Sequence, residues 1–178
     1  MDQTEGEKAL RAGRLLVSLC ESIPEPEVGY RIQGIAAQIL LRLGARILEI
    51  KSQGHPDIVA RDAEGIIRVE VETDLGSGRT RLPTPEDIQS VRPKEQGDRG
   101  YFALAECRAF PRWLVVPVER LTLRHVEMGP TVLAALSEEG TSRSWTREFL
   151  AFLIRNESRL PGLTYDRLRT LALESRSI

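Results

Sequence analysis

The segment that decides the fold is GHPDIVARDAEGIIRVEVETD, which runs from Gly54 to Asp74. Within it, DIVAR and IIRVEVE carry the branched apolar residues of β-strands, and DAEG between them has the composition of a tight hairpin turn. Strand residues alternate between the faces of a sheet, so the second strand has one wholly apolar face, formed by Ile67, Val69 and Val71. Its other face carries Arg68, Glu70 and Glu72.

Acidic residues gather around this hairpin. Glu70 and Glu72 lie about 7 Å apart along the strand, from the rise per residue. A turn centred on Ala63–Glu64 places Asp57 opposite Glu70 or a near neighbour, so three carboxylates converge at one edge of the sheet. Close like charges raise one another's pKa unless a cation neutralises them, and this density of oxygen ligands suits magnesium or manganese rather than zinc. The alternative is a solvated strand face on which the glutamates pair with a neighbouring arginine such as Arg68.

Two helices and a strand are predicted before the hairpin. Residues 7–23 have the spacing of an amphipathic helix that ends before a turn at PEPEVG, residues 24–29. A second helix carries apolar residues at helical spacing over residues 32–43 and ends at Gly44. The next segment, ARILEI at residues 45–50, has the composition of a short strand.

After the hairpin, residues 82–91 predict a helix with Thr84 as its N-cap. Residues 101–110, YFALAECRAF, are ambiguous between helix and strand, whereas residues 112–118, RWLVVPV, have the branched composition of a buried strand. This order of elements predicts an α/β fold with a central mixed β-sheet flanked by helices.

The last part of the chain is helical in its pattern from Gly129 onward, in three segments divided by Gly140 and by LPG at residues 160–162. One apolar stripe in this part consists of Trp145, Phe149, Phe152 and Leu153. We therefore divide the chain into an α/β core over residues 1–128, which includes the N-terminal helix, and a helical C-terminal extension over residues 129–178. The extension packs on the core or forms a dimer face.

Composition and charge describe an ordinary folded domain. The chain has 178 residues, of which 41% are hydrophobic and 29% charged, and its net charge is −1, so it lacks the overall basic character of many nucleic-acid binders. No apolar run approaches the roughly 20 residues of a membrane span, and the N-terminus does not have the form of a signal peptide. Cys20 and Cys107 are too few for a disulfide framework. We expect a cytoplasmic protein with no membrane partner.

The local sequence also resembles a known superfamily. A helix ending in LLRLGARIL, a turn, PDIV, a hairpin turn and RVEVE resemble the PD-(D/E)XK nucleases of the restriction-endonuclease-like fold, and in style the Mrr-type core among them. The resemblance covers residues 30–75 well, and residues 76–120 in the order of elements alone. It implies a metal-dependent endonuclease that hydrolyses the phosphodiester bonds of nucleic acid, with duplex DNA as the expected substrate. It also implies that Asp57 and Glu70 bind Mg²⁺ or Mn²⁺.

Two positions depart from the superfamily pattern. Glu72 stands where the third motif has a lysine, and some enzymes of this fold with that change are active, the glutamate then assisting the attacking water or a second metal ion. Others with altered motifs bind nucleic acid without cutting it. Gln33 stands on the preceding helix where the family often has an acidic residue, and its carbonyl could orient a hydrated metal ion. We expect Asp57, Glu70 and Glu72 to hold the metal, with Gln33 beside them.

Basic residues near the hairpin supply candidates for the missing positive charge and for phosphate contacts. Lys51 precedes the turn before Asp57 and is a candidate catalytic residue. Lys94 follows the next helix, and His55 lies two residues before Asp57. A glycine-bearing loop, LGSGRT and the residue after it, brings two arginines that could contact a nucleic-acid backbone, Arg79 and Arg81.

Two further interpretations are consistent with the sequence. One is a catalytically inactive module of the same fold that binds nucleic acid or a protein partner. The other is an unrelated α/β protein in which the two glutamates of the strand are simply solvated. A homodimer would suit an enzyme that cuts both strands of a duplex, because symmetric pairs are the commonest oligomers.

Overall fold

The β2–β3 hairpin lies at the centre of the fold. The computed structural model describes residues 4–76, 83–121 and 130–175. Its strands are β1 (Arg46–Ile50), β2 (Ile58–Arg61), β3 (Ile66–Asp74), β4 (Arg99–Glu106) and β5 (Arg112–Pro117). Its helices are α1 (Glu5–Ser22), α2 (Glu25–Arg42), α3 (Pro85–Val91), α4 (Pro130–Leu136), α5 (Glu139–Arg155) and α6 (Tyr165–Glu174).

The five described strands form one mixed sheet in the order β1-β2-β3-β4-β5. Strands β1, β2 and β3 form an antiparallel meander, β4 is parallel to β3, and β5 is antiparallel to β4. Ile58 pairs with Val69 and Arg61 with Ile66, so the hairpin has the predicted register. Helix α3 lies in the connection between the two parallel strands, as such a crossover requires. The α/β fold with helices flanking a mixed sheet is therefore confirmed.

The two faces of the sheet are covered by different helices. On one face, Val69 and the other apolar residues of β3 belong to a core shared with α1, α2, α5 and α6. On the other face, Phe102 and Leu104 of β4 pack with Ile88 and Val91 of α3. Glu70 and Glu72 share this second face, because Glu70 pairs with Phe102 and Glu72 with Leu104 in the parallel register.

Strand β4 resolves the ambiguity at residues 101–110. Its side chains are buried on both faces from Phe102 to Glu106, as expected for a central strand that helices cover on both sides. Because apolar and polar residues do not alternate in this strand, its sequence has neither a strand period nor a helix period.

Two predicted boundaries are wrong. Residues 24–29 do not form a turn between helices, because α2 already begins at Glu25 and Pro24 is its N-cap. Pro26 fits this first turn, where a helical residue needs no backbone N–H donor. Gly140 does not divide two helices either, since it lies in the first turn of α5. Gly44, by contrast, follows α2 with a φ of 92°, as a residue that ends a helix.

The C-terminal helices pack on the rest of the chain. Helix α5 contacts β5, α1 and α2, and α6 contacts α2 and β1. Trp145 packs edge-to-face on Trp113 of β5 with ring centroids 5.2 Å apart. The remaining members of the apolar stripe, Phe149, Phe152 and Leu153, are buried in the same core. Across the described residues, no helix combines the length and apolarity that crossing a membrane requires.

Candidate metal centre

An open pocket of about 580 Å³ lies where β3 continues past the start of β2. Five of the predicted site residues line it: Gln33, His55, Asp57, Glu70 and Glu72. They come from α2, from the turn before β2 and from β3. The pocket exists because β2 begins at Ile58, so beyond Val69 the β3 backbone has no β2 residue opposite it.

Asp57 is fixed where the two strands of the hairpin separate. Its Oδ2 accepts a hydrogen bond of 2.8 Å from the backbone N–H of Val71, and its Oδ1 accepts one of 3.1 Å from Gln33 Nε2. The carboxylate thus takes the place of a neighbouring strand for the backbone of β3 beyond Val69. This position agrees with the predicted register, in which Asp57 lies beside Glu70.

Gln33 holds Asp57 in place. Its amide nitrogen donates to the carbonyl oxygen of Lys51 at 2.6 Å, in addition to the carboxylate of Asp57. Because these partners are oxygen acceptors, the side-chain nitrogen must face them. The sequence predicted that the carbonyl of Gln33 would orient a hydrated ion; in the structure Gln33 orients an acid through its amide nitrogen.

Glu70 is a buried acid with an unsatisfied oxygen. Glu70 is 2% exposed, and its Oε1 lies 2.6 Å from His55 Nδ1. Its Oε2 is buried without a hydrogen-bond partner among the described residues. Burial and then the negative charge of Asp57 raise the pKa of Glu70 to about 8, although the hydrogen bond and charge of His55 act in the opposite direction. A solvated glutamate paired with Arg68 is therefore wrong for this position, since Arg68 binds Asp98 at 2.8 Å.

His55 joins Glu70 to an acid of helix α3. Its Nδ1 lies 3.2 Å from Asp87 Oδ1 as well as close to Glu70. Burial opposes the charged imidazolium, but the hydrogen bond to Glu70 and the charges of Glu70, Asp87 and Asp57 outweigh it and raise the pKa of His55. One potential ligand atom from each of His55, Glu70 and Asp87 lies within 4.8 Å of the others, so this group could hold a metal ion.

Asp87 is the residue that sequence reasoning missed. It is fully buried at the third position of α3, where its Oδ2 accepts from the backbone N–H of Thr84 at 2.7 Å in a capping box. That capping role explains an aspartate at this position without any ligand chemistry. No local signal marks it as a site residue, because the parallel crossover is what brings α3 over β3.

The other candidates lie differently. Glu72 is partly exposed and lines the pocket on the same face as Glu70. Lys51 does not line the pocket; its Nζ donates to the carbonyl oxygen of His55 at 3.1 Å and so supports the turn that carries the histidine. Lys94 is exposed in the turn after α3, away from the pocket lining. Two predicted phosphate contacts lie outside the described residues, Arg79 and Arg81.

Comparison with known proteins identifies no relative. No protein-family model matches the chain, and neither a curated protein nor a solved structure does. The site is therefore interpreted from its own geometry and chemistry.

Proposed function

We propose that the chain is a divalent-metal-dependent nuclease of the restriction-endonuclease-like fold, and that it hydrolyses phosphodiester bonds of nucleic acid, with duplex DNA as the expected substrate. The observation that carries this proposal is the oxygen Glu70 Oε2, which is buried without a hydrogen-bond partner among the described residues. A buried carboxylate oxygen is costly unless a proton or a cation satisfies it. Asp57 and Glu72 line the same pocket, which makes a cation the fitting partner.

The arrangement of the chain supports the fold part of the proposal. The resemblance rests on a helix that leads into a strand, then a hairpin carrying the acids, and then a further helix and strand. The chain has that order in α2, β1, the β2–β3 hairpin, α3 and β4. The acids lie at the separation of β2 and β3, which is the part of the chain that the resemblance covers best.

The donor set fits the ion that the resemblance implies. Asp57, Glu70 and Glu72 offer the oxygen ligands that Mg²⁺ and Mn²⁺ prefer. A bound ion would neutralise the scissile phosphate and lower the pKa of an attacking water. Gln33 and the N–H of Val71 keep the carboxylate of Asp57 in one orientation. We assign to Glu72, which is less buried than Glu70 and lines the pocket, the acceptance of a proton from the water.

One observation favours a second candidate, the inactive module. Neither lysine nor arginine is among the described residues that line the pocket, and Lys51 is engaged with the carbonyl of His55. Without a bound cation, the pocket is acidic and would repel a phosphate. A protein of this kind would bind nucleic acid or a protein partner through another surface and would show no metal-dependent turnover.

The test is cleavage of plasmid DNA and of single-stranded DNA and RNA in Mg²⁺ or Mn²⁺, with Asp57→Asn and Glu70→Gln beside the wild type. Each variant should lose about 100-fold or more of the rate, since each removes charge that acts in the transition state. Asp62→Asn is the matched control, because Asp62 lies in the turn of the same hairpin and should leave the rate unchanged within about twofold. Cleavage that survives in both site variants, or no cleavage by the wild type, would contradict the proposal.

A further inference from the structure

We propose that His55, Glu70 and Asp87 form a site for a transition-metal ion such as Zn²⁺, Co²⁺ or Mn²⁺, which they bind in preference to Mg²⁺. The site shares Glu70 with the acids of the proposed nuclease. It differs from them in its other two ligands and in its chemistry, and it does not require that the chain cleave nucleic acid.

The geometry of the three groups already approaches that of a coordination shell. They come from separate segments, namely the turn before β2, strand β3 and helix α3. His55 Nδ1 lies 2.6 Å from Glu70 Oε1 and 3.2 Å from Asp87 Oδ1. An ion about 2.0–2.2 Å from each of its nitrogen and oxygen ligands holds neighbouring ligand atoms about 3.0–3.5 Å apart. Small side-chain rotations would therefore suffice to admit the ion.

A second observation at this cluster, which also supports the proposed function, shows that Glu70 has unused ligand capacity. Glu70 Oε2 is buried and has no hydrogen-bond partner in the described part of the chain. The oxygen belongs to a residue that is 2% exposed, so bulk water does not compensate for the missing partner. A cation bound at this carboxylate would supply the missing interaction.

The identity of the donors selects the class of ion. An imidazole nitrogen is a borderline donor that suits zinc, cobalt, manganese and iron, whereas Mg²⁺ prefers oxygen ligands and keeps several waters. Glu70 and Asp87 are almost wholly buried, which leaves little room for a heavily hydrated ion. The side chain of His55 is 26% exposed, and His55 lines the pocket, so a further ligand such as water can enter from that side.

The experiment uses the full chain, freed of metal with a chelator, and follows visible absorption as Co²⁺ is added. We expect the wild type to bind Co²⁺ with the absorption bands of a low-coordinate site. Zn²⁺ should displace Co²⁺ at about equal concentration, and Mg²⁺ should require at least about 100-fold more. His55→Gln and Asp87→Asn should each weaken Co²⁺ binding by about 10- to 100-fold or more, since each removes a direct ligand.

Two controls separate this site from a general effect of charge. Glu86→Gln changes the exposed acid next to Asp87 on α3, and Glu25→Gln changes an exposed acid that lines the pocket but belongs neither to the three ligands nor to the acids of the proposed nuclease. Both should bind Co²⁺ within about twofold of the wild type. Thermal unfolding of each variant checks the fold, and His55→Gln keeps the test decisive if Asp87→Asn unfolds with its capping box.

The outcomes distinguish this inference from the proposed function. If no nucleic acid is cleaved but His55→Gln loses Co²⁺, the metal site stands and the nuclease falls. If cleavage depends on Asp57 and Glu70 while His55→Gln and Asp87→Asn bind Co²⁺ as the wild type does, the nuclease stands and this site is overturned. A wild type that binds no Co²⁺, or that prefers Mg²⁺, also overturns it.

Discussion

The acids at the two ends of the β2–β3 hairpin have opposite electrostatic surroundings. At the turn end, arginines neutralise the acids: Arg68 binds Asp98 at 2.8 Å, and Arg99 binds Asp62. At the open end, where the strands separate, the carboxylate of Glu70 meets the charge of Asp57 and a single histidine, His55. One end of the hairpin thus lies among acids that are paired with arginines, and the other end lies among acids that a cation would stabilise.

The pKa values of the two ends move in opposite directions. The hydrogen bond from Arg68 is the main cause that lowers the pKa of Asp98 to about 2. Burial works against ionised Asp62, but hydrogen bonds from Arg99 and from the backbone of the turn lower its pKa. Burial and the charge of Asp57 raise that of Glu70 to about 8. The chain is rich in arginine, and two of its arginines pair with the acids at the turn end. The described residues that line the pocket include no arginine.

The largest effect on thermal stability is expected from removing an arginine at the turn end. Arg68→Ala leaves Asp98 without its main partner, although Asp98 also organises the backbone N–H groups of Ile66 and Lys94. Removing one member of such a pair is strongly destabilising, so we expect the melting temperature to fall by about 10 °C.

Arg143→Ala is the matched control, because it breaks the Arg143–Glu139 pair, whose side chains are 77% and 84% exposed. An exposed pair contributes little, so the change should stay within about 2 °C. Equal shifts in the two variants, measured by thermal unfolding at neutral pH, would show that the arginines do not hold the turn end.

The next effect is stabilisation of the open end by divalent ions. Mn²⁺ added to metal-free protein at about 100 times its dissociation constant should raise the free energy of unfolding by about 2.7 kcal/mol. That corresponds to about 5–10 °C in the melting temperature. Glu70→Gln should lose this shift, whereas Asp62→Asn, which alters the turn end, should keep it. A shift of the same size in Glu70→Gln would place the bound ion elsewhere.

A smaller effect with a definite sign is expected from pH at the open end. The folded-state pKa of Glu70 is raised from 4.5 to about 8, so its contribution to stability is full below about pH 4.5 and is lost as the pH rises through about 8. The raised pKa of His55 has the same sign, since its contribution also falls with rising pH. Glu70→Gln removes the buried charge and the strong acceptor of His55 together.

We therefore expect Glu70→Gln to be less stable than the wild type at about pH 5 and more stable at about pH 9, by about 1–2 kcal/mol at each. Urea unfolding of metal-free protein across this range measures the crossing. Asp98→Asn provides the opposite sign: the lowered pKa of Asp98 means that its contribution is present at neutral pH and is lost as the pH falls towards 2. Parallel curves for Glu70→Gln and the wild type would contradict the raised pKa.

The open end of the hairpin could be predicted from the sequence in part. The hairpin, its register and the approach of Asp57 to Glu70 follow from strand alternation and a short turn, both of which are local. Asp87 lies near Glu70 because a parallel crossover places α3 beside β3. In the sequence, Asp87 looks like a helix-capping residue, so nothing there identifies it as part of the site. Strand β4 lacked a period because helices bury both of its faces. Contacts between segments that are distant in the sequence determine both the approach of Asp87 to Glu70 and the burial of β4, so a local sequence pattern could predict neither.

The smallest predicted effect concerns Lys51, which the sequence proposed as a catalytic residue. In the structure its Nζ donates to the carbonyl oxygen of His55, and it lies 3.8 Å from Glu49. Lys51→Met keeps most of the length of the side chain and removes this hydrogen bond, so we expect a loss of about 0.5–1 kcal/mol in the free energy of unfolding. If the proposed nuclease is active, its rate should fall by less than about tenfold, since the lysine positions the turn rather than contacting phosphate.

Arg46→Met, at the other end of β1, is the control for removing an exposed cation from this edge strand. A fall of about 100-fold or more in Lys51→Met with unchanged stability would return Lys51 to the catalytic role, because a group that acts in the transition state affects the rate and not the fold. It would also mean that the side chain leaves the His55 carbonyl when substrate binds. The open end would then gain a cation with its substrate, and its contrast with the turn end would hold for the substrate-free protein alone.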